Sequence, residues 1–248
     1  MKPRSSSTIR SIGRDVAAGV GALAAGYAIC VGIAWYRYGQ ADRADNPDQV
    51  DTLLDGFMPR YDVAERHEVT VAAPAEITLS TAMAADFQQS PIVRAIVRAR
   101  ELVLGTTRRA RSHPTGLLAE VTAMGWGILA EDPGREIVVG AVTKPWLANV
   151  TFRALPPDEF AAFAEPDYVK IAWTLRADPA GAETSVLRTE TRVMPTDPGA
   201  RARFRWYWAR FSPGILLIRR VLLASVKREA ERRAARAAMR PNVPARVT

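Results

Sequence analysis

The chain has 248 residues, 48% hydrophobic and 24% charged, a composition that excludes wholesale disorder and suits one large domain, or one domain with appendages. Its single cysteine, Cys30, excludes an internal disulfide framework and a Cys-based zinc cluster. The formal net charge of +8 is made by the C-terminus: residues 201–248 hold 13 Lys+Arg against 2 Asp+Glu, so a nucleic-acid surface over the whole body is not indicated.

After a basic tail over residues 1–15, Val16 to Tyr36 carries no charge. As a helix rising 1.5 Å per residue it matches a hydrocarbon core of about 30 Å. Trp35, Tyr36 and Arg37 at its end form an interfacial belt. A cleavable signal peptide has a shorter apolar run and a small-x-small exit. Here the run ends in Trp-Tyr-Arg-Tyr, which favours an uncleaved anchor. Cys30 follows Ile29, where a lipoprotein signal has a small residue, so it reads as a small apolar member of the span. Lys2, Arg4, Arg10 and Arg14 precede the span, while only Arg37 and Arg43 follow closely. The positive-inside rule then puts the N-terminus in the cytoplasm and the main domain outside. Residues 37–56 are polar and acidic and read as a linker.

Residues 57–235 carry the patterns of a folded domain, and 236–248 read as a second basic tail. Glu65 to Ala72 alternates as a strand, with His67, Val69 and Val71 on one face. A short helix follows over Ile77–Phe87. Ser90 caps a second helix with Pro91 at its first position, and Ile92, Ile96, Val97, Val103 and Leu104 are expected inward. Met124–Glu131 and Arg135–Thr143 form a hairpin about Asp132-Pro133-Gly134, and Val150–Ala154 is a short strand. Tyr168–Ala177 and Thr184–Met194 alternate on either side of an Asp178-Pro179-Ala180-Gly181 turn. Leu187, Thr189, Thr191 and Val193 face one way; Arg188, Glu190 and Arg192 face the other, as a solvated ladder. A sheet with one apolar face must be covered. Thr196-Asp197-Pro198 starts the covering helix, Phe204, Tyr207, Trp208 and Phe211 line it, and Ser212-Pro213-Gly214 interrupts it before Ile215, Ile218, Leu222 and Val226 resume the stripe. The fold class is α+β: a curved antiparallel sheet gripping a long C-terminal helix, preceded by a transmembrane helix.

Residues suited to catalysis are few. Of two histidines, His67 lies on the apolar side of its strand, where it is either a cavity group or a hydrogen-bonded core histidine, and His113 is in a loop. Glu190 would act as an acid or base only if it were buried in a cavity, and alternation points it outward. No HExxH, G-x-S-x-G, Walker A or G-x-G-x-x-G pattern occurs, which disfavours hydrolase, NTPase and dinucleotide chemistry and implies no metal or cofactor. The aromatic–basic cluster Arg203 to Phe211 is open to three readings: packing with solvated arginines, bilayer contact through Arg205 and Trp206, or nucleic-acid stacking, which is the least favoured.

The segments ERHEVTVAAPAE (65–76), DYVKIAWTLRADPAGAETSVLRTETRV (167–193) and ARFRWYWARFSPGILLIRRVLLASVKREAER (202–232) resemble the START-like (SRPBCC, helix-grip) superfamily, in a bacterial branch. That superfamily includes polyketide cyclases/dehydratases and lipid-transfer domains. The resemblance implies an elongated apolar cavity between sheet and terminal helix for a lipid-like or polyketide-like molecule. Val69, Val71, Trp126, Ile171, Trp173, Thr189, Thr191, Tyr207 and Phe211 are the expected lining. The function expected is binding or transfer of such a molecule at the bilayer. A cyclase/dehydratase-type enzyme and a partner-docking module are the alternatives, and the oligomeric state is left open.

Overall fold

The computed structural model describes residues 6–40, 50–86, 90–105 and 116–239, with side chains from residue 18 onward. Expectations for Lys2, Arg4, Arg43, His113 and residues 240–248, and for the side chains of Arg10 and Arg14, lie outside the described residues. In chain order the elements are α1 (Ser6–Arg37), α2 (Thr52–Phe57), β1 (Val63–Val71), α3 (Ala75–Met83), α4 (Pro91–Leu104), α5 (Leu117–Ala123), β2 (Gly127–Asp132), β3 (Glu136–Thr143), β4 (Phe152–Arg153), α6 (Pro157–Ala162), β5 (Val169–Gly181), β6 (Thr184–Pro195) and α7 (Pro198–Ala238).

The sheet is antiparallel in the order β1-β6-β5-β3-β2, with β4 added to β3. Gly134 at φ +78° completes the Asp132-Pro133-Gly134 turn, and Arg135 N–H donates to Asp132 O at 3.0 Å. The β5–β6 turn falls at Ala182–Glu183, beyond the Asp178–Gly181 stretch expected to make it. β5 absorbs Pro179 in a register shift and keeps pairing to Gly181. In β1 and β6, His67 sits opposite Thr189 and Glu65 opposite Thr191, so all four share the face that meets α7.

That face carries the main core, in which Val71, Leu79, Ile137, Val139, Leu187, Leu223 and Val226 pack together. The expectation of a one-faced sheet is corrected by a second layer. Leu54 of α2 and Met58 just after it, with Phe160 of α6, cover Val138, Val142 and Ala172 on the other side. Residues 52–56, within the stretch read from the sequence as linker, form α2 together with Phe57 and pack on the sheet. β3 is buried at all eight positions, as a strand covered twice must be. The Arg188–Glu190–Arg192 ladder is consequently not solvated: Glu190 is 5% and Arg192 3% exposed. Arg192 Nε donates to Glu190 Oε1 at 2.7 Å and its Nη1 to Met58 O at 2.8 Å, while Arg66 Nη2 reaches the same Glu190 oxygen at 2.9 Å.

α7 is one helix of 41 residues, starting where Asp197 Oδ1 accepts from the N–H of Gly199 at 2.7 Å and of Ala200 at 2.9 Å. Ser212-Pro213-Gly214 does not interrupt it, and Ser212 caps nothing; its side chain is buried. Pro213 forfeits one rung, a loss of about 3 kcal/mol in an isolated helix, which packing on both sides offsets. Gly214 lies so close to Ile96 that a Cβ would come to 3.0 Å of its Cγ2.

α4 corrects another expectation. Ser90 Oγ caps it and Pro91 opens it, but Ile92, Val97 and Val103 are 46%, 43% and 70% exposed and only Val93 is buried. α3 and α7 already occupy the sheet, so α4 packs on α7 along one ridge, with Arg100 Nε donating to Tyr207 Oη at 3.2 Å.

α1 runs against the N-terminal half of α7. Trp35 and Trp206 rings lie 4.5 Å apart, and Arg205 stacks on Trp35 at 4.1 Å while its Nη2 donates to Trp35 O at 3.0 Å. Tyr27 Oη donates to Arg210 O, and Tyr38 is buried against Phe204. The stretch Ala18–Arg37 is long and apolar enough to cross a bilayer, and none of it is buried in the protein.

Candidate functional site

Where α7 leans away from the concave face of the sheet, a chamber of about 320 Å³ remains. Its walls come from α5 (Leu117, Val121), the loop after it (Trp126), β4 (Phe152), β5 (Trp173) and α7 (Ile215, Ile218, Leu222). Trp126 is the hinge of this wall, 5.0 Å from the Phe152 ring and 6.4 Å from Trp173 in an edge contact. Gly125 makes the arrangement possible. It sits at φ +100°, and a Cβ there would come to 2.2 Å of Phe152 O. The polar groups on the walls are few: Thr189 from β6 and Arg219 from α7. A partly open apolar chamber with a small number of polar groups, at the lower end of the volume range of ligand sites, has the dimensions and lining to hold an organic molecule mostly by burial.

Arg219 is the site's principal electrostatic feature. It falls on the same stripe of α7 as Ile215 and Leu222, so it points at the sheet. Its Nη2 donates to Thr191 Oγ1, and its Nε is buried without a partner. Burial lowers its pKa to about 10, offset in part by the charge of Glu65, so it is cationic at neutral pH. Across the partition Glu65 and His67 line a second, more open groove between α1, β1 and α7, about 630 Å³ in volume, with Ile33, Arg37, Leu216 and Arg220. Burial raises the Glu65 carboxyl despite the nearby Arg219, Arg37 and Arg220. Burial, then Arg219 and Arg220, lowers His67 below the usual imidazole range, and its Nδ1 is buried with no partner. Among the described residues no cluster of His, Cys, Asp or Glu is arranged to hold a metal ion.

Of the residues expected to line a cavity, Trp126, Trp173 and Thr189 stand on the chamber wall. Thr191 lies behind it as the acceptor for Arg219. Val69 and Val71 pack into the main core, and Ile171 packs against the cluster around Phe204 and Trp208. Tyr207 and Phe211 pair with each other at 4.9 Å, away from the chamber, because the aromatic stretch of α7 precedes the chamber-lining one by a full turn. His67 faces α7 but opens to the groove, not the chamber. Glu190 is locked in the outer layer between two arginines. Among the interface residues, Trp35, Arg205 and Trp206 come together, Tyr36 is 72% exposed beside them, and Arg37 lines the groove. Sequence reading missed Arg219, Glu65 and Phe152. For Arg219 a signal was present: a charged residue four after Ile215 and three before Leu222 sits inside the apolar stripe.

A curved antiparallel sheet grips a long C-terminal helix, the arrangement expected from the sequence. No family model matches the chain, and no curated protein matches it. Among solved structures it is similar to a norcoclaurine synthase from Thalictrum flavum, at 12% identity over 68% of this chain and 93% of that one, with a TM-score of 0.32. It is also similar to the ZhuI aromatase/cyclase from a Streptomyces species, at 19% identity over 71% and 98%, TM-score 0.24. A hypothetical protein from Helicobacter pylori gives 8% identity over 77% and 99%, TM-score 0.37. At these identities and scores the likeness is one of general arrangement, and it transfers no ligand, reaction or residue role to this chain.

Proposed function

We propose that the protein is a single-pass membrane protein that binds a hydrophobic small molecule in the chamber between sheet and α7, and presents or transfers it at the bilayer surface. The chamber is the observation that carries this reading: apolar walls, three aromatic rings and, among the described residues, two polar groups. A ligand hiding about 250 Å² of apolar surface there gains roughly 6 kcal/mol. Membrane attachment is supported by the unburied apolar stretch Ala18–Arg37 and by exposed Trp206 and Leu217 on the helix that α1 packs against. In this reading Trp35, Tyr36, Arg37, Arg205 and Trp206 sit at the head-group layer, and the domain lies outside the cytoplasm.

The test is native mass spectrometry of the full chain released from detergent, with extraction and identification of co-purifying lipids. One apolar molecule per chain, lost on Trp173→Ala, supports the reading. A chain that carries nothing and takes up no apolar probe removes it.

A second reading, a cyclase/dehydratase-type enzyme, is favoured by one observation: His67, whose pKa burial lowers and whose Nδ1 is buried with no partner, lines the groove beside Glu65 on the same strand, together with Arg220. It requires His67→Ala to abolish turnover of a bound substrate without releasing it.

A further inference from the structure

Three described arginines, Arg192 buried and Arg66 and Arg176 half-buried, are matched to acids. Arg192 pairs with Glu190 at 2.7 Å, Arg66 with the same carboxylate at 2.9 Å, and Arg176 with Asp178 at 2.8 Å. Arg219 is different. Its protein hydrogen bond goes to a neutral hydroxyl, that of Thr191, its Nε has no acceptor, and no described carboxylate lies within ion-pair distance. Among the described residues it is also the one charged side chain on the chamber wall.

A half-buried guanidinium whose Nε is shut off from water, and on which Glu65 acts only from beyond ion-pair distance, carries a desolvation cost that is only partly compensated. Such a group is expected only where something else supplies the anion for at least part of the time. The surroundings narrow what that is. A single cation on an otherwise apolar wall matches a head bearing one negative charge, and the planar fork of arginine matches a carboxylate in particular. The aromatic pair Trp126 and Trp173 and the aliphatic side of α7 take the rest of the molecule.

We infer that the chamber selects an amphiphilic carboxylic acid, with its tail among Trp126, Trp173 and Leu222 and its carboxylate on the Arg219 guanidinium. Thr191 holds the guanidinium in place from behind, and Thr189 offers a hydroxyl to the head from the wall. This inference rests on the chamber being a ligand site and adds to it the chemistry of the head group.

The experiment compares two probes of equal tail length, dodecanoic acid and dodecan-1-ol, on the detergent-solubilised full chain at pH 8, read as occupancy by native mass spectrometry. The wild type should retain the acid at least tenfold better than the alcohol. Arg219→Met should bring the two within twofold by losing the acid while keeping the alcohol, and Arg219→Lys should keep part of the preference. Where a thermal melt shows Arg219→Met unfolded, Arg219→Gln, nearly isosteric and uncharged, gives the same reading. Equal retention of acid and alcohol by the wild type, or a preference that survives loss of Arg219, overturns the inference and leaves the chamber as a neutral-ligand site. Retention of neither probe by the wild type overturns the chamber reading and this inference together.

Discussion

Arg192 shows how much a single side chain carries in the outer layer. It is 3% exposed, holds Glu190, reaches Asp55 of α2 and donates to Met58 O. Arg192→Met should therefore cost about 3–5 kcal/mol, because Glu190 stays buried with half its compensation gone. Chemical denaturation measures this directly, and a loss under 1 kcal/mol would mean that water fills in for the guanidinium. Gly125 is equally constrained: Gly125→Ala combines a left-handed backbone with a clash on Phe152 O, and a loss of at least 2 kcal/mol is expected in the same assay. His67 makes a pH prediction. Its folded pKa lies below 6.5, so between those two values the unfolded chain binds more protons and stability rises with pH. His67→Gln should flatten that rise; an unchanged slope would assign it to other groups. These residue-level features were only half legible in the sequence. Alternation placed Glu190 and Arg192 on the face away from α7, correctly. It could not show that α2 and α6 return to cover that face, because the covering helices are six residues each and carry little periodic signal.

Among the elements, α7 has three jobs along its length: it supports α1, passes α4, and roofs the chamber. Its start is fixed by Asp197, whose removal in Asp197→Ala should cost about 1 kcal/mol, seen as a drop in melting temperature. The caps and turns around Ser90, Asp132-Pro133-Gly134 and Asp197 could be read in advance, since each is local chemistry within four residues. The continuity of α7 through Pro213 could not, because propensity there is overruled by contacts such as Ile96 on Gly214. The exposure of Ile92, Val97 and Val103 was hidden for the same reason: an amphipathic pattern says that a helix has an apolar side, not that the protein supplies a partner for it.

For the whole molecule, the proposed arrangement of anchor, domain and chamber makes two checkable demands. Trp173→Ala should weaken ligand retention at least tenfold while lowering stability by about 3 kcal/mol or less, because one face of that ring borders empty space rather than packed side chains. Equal loss of binding and of folded protein would argue against an open chamber at that point. In the proposed orientation an alkaline phosphatase fused after residue 248 should be active; a silent fusion with a functional cytoplasmic reporter would reverse the orientation.

The docking of α1 on α7 also sets a clock. Arg205 and Trp35 are 170 residues apart in sequence, and Tyr27 and Arg210 are 183 apart. At about 5–20 residues per second, α1 leaves the ribosome roughly 10–30 s before the helix that receives it is finished. Throughout that interval Trp35 and Tyr38 have no partner in the chain, and β1, also made early, waits for β6 to pair with it. α1 and α7 close together, so a nascent chain truncated before residue 198 lacks both the roof of the chamber and the brace of the anchor. Assembly of this protein is thus a joining of segments distant in sequence, which waits until α7 has been made.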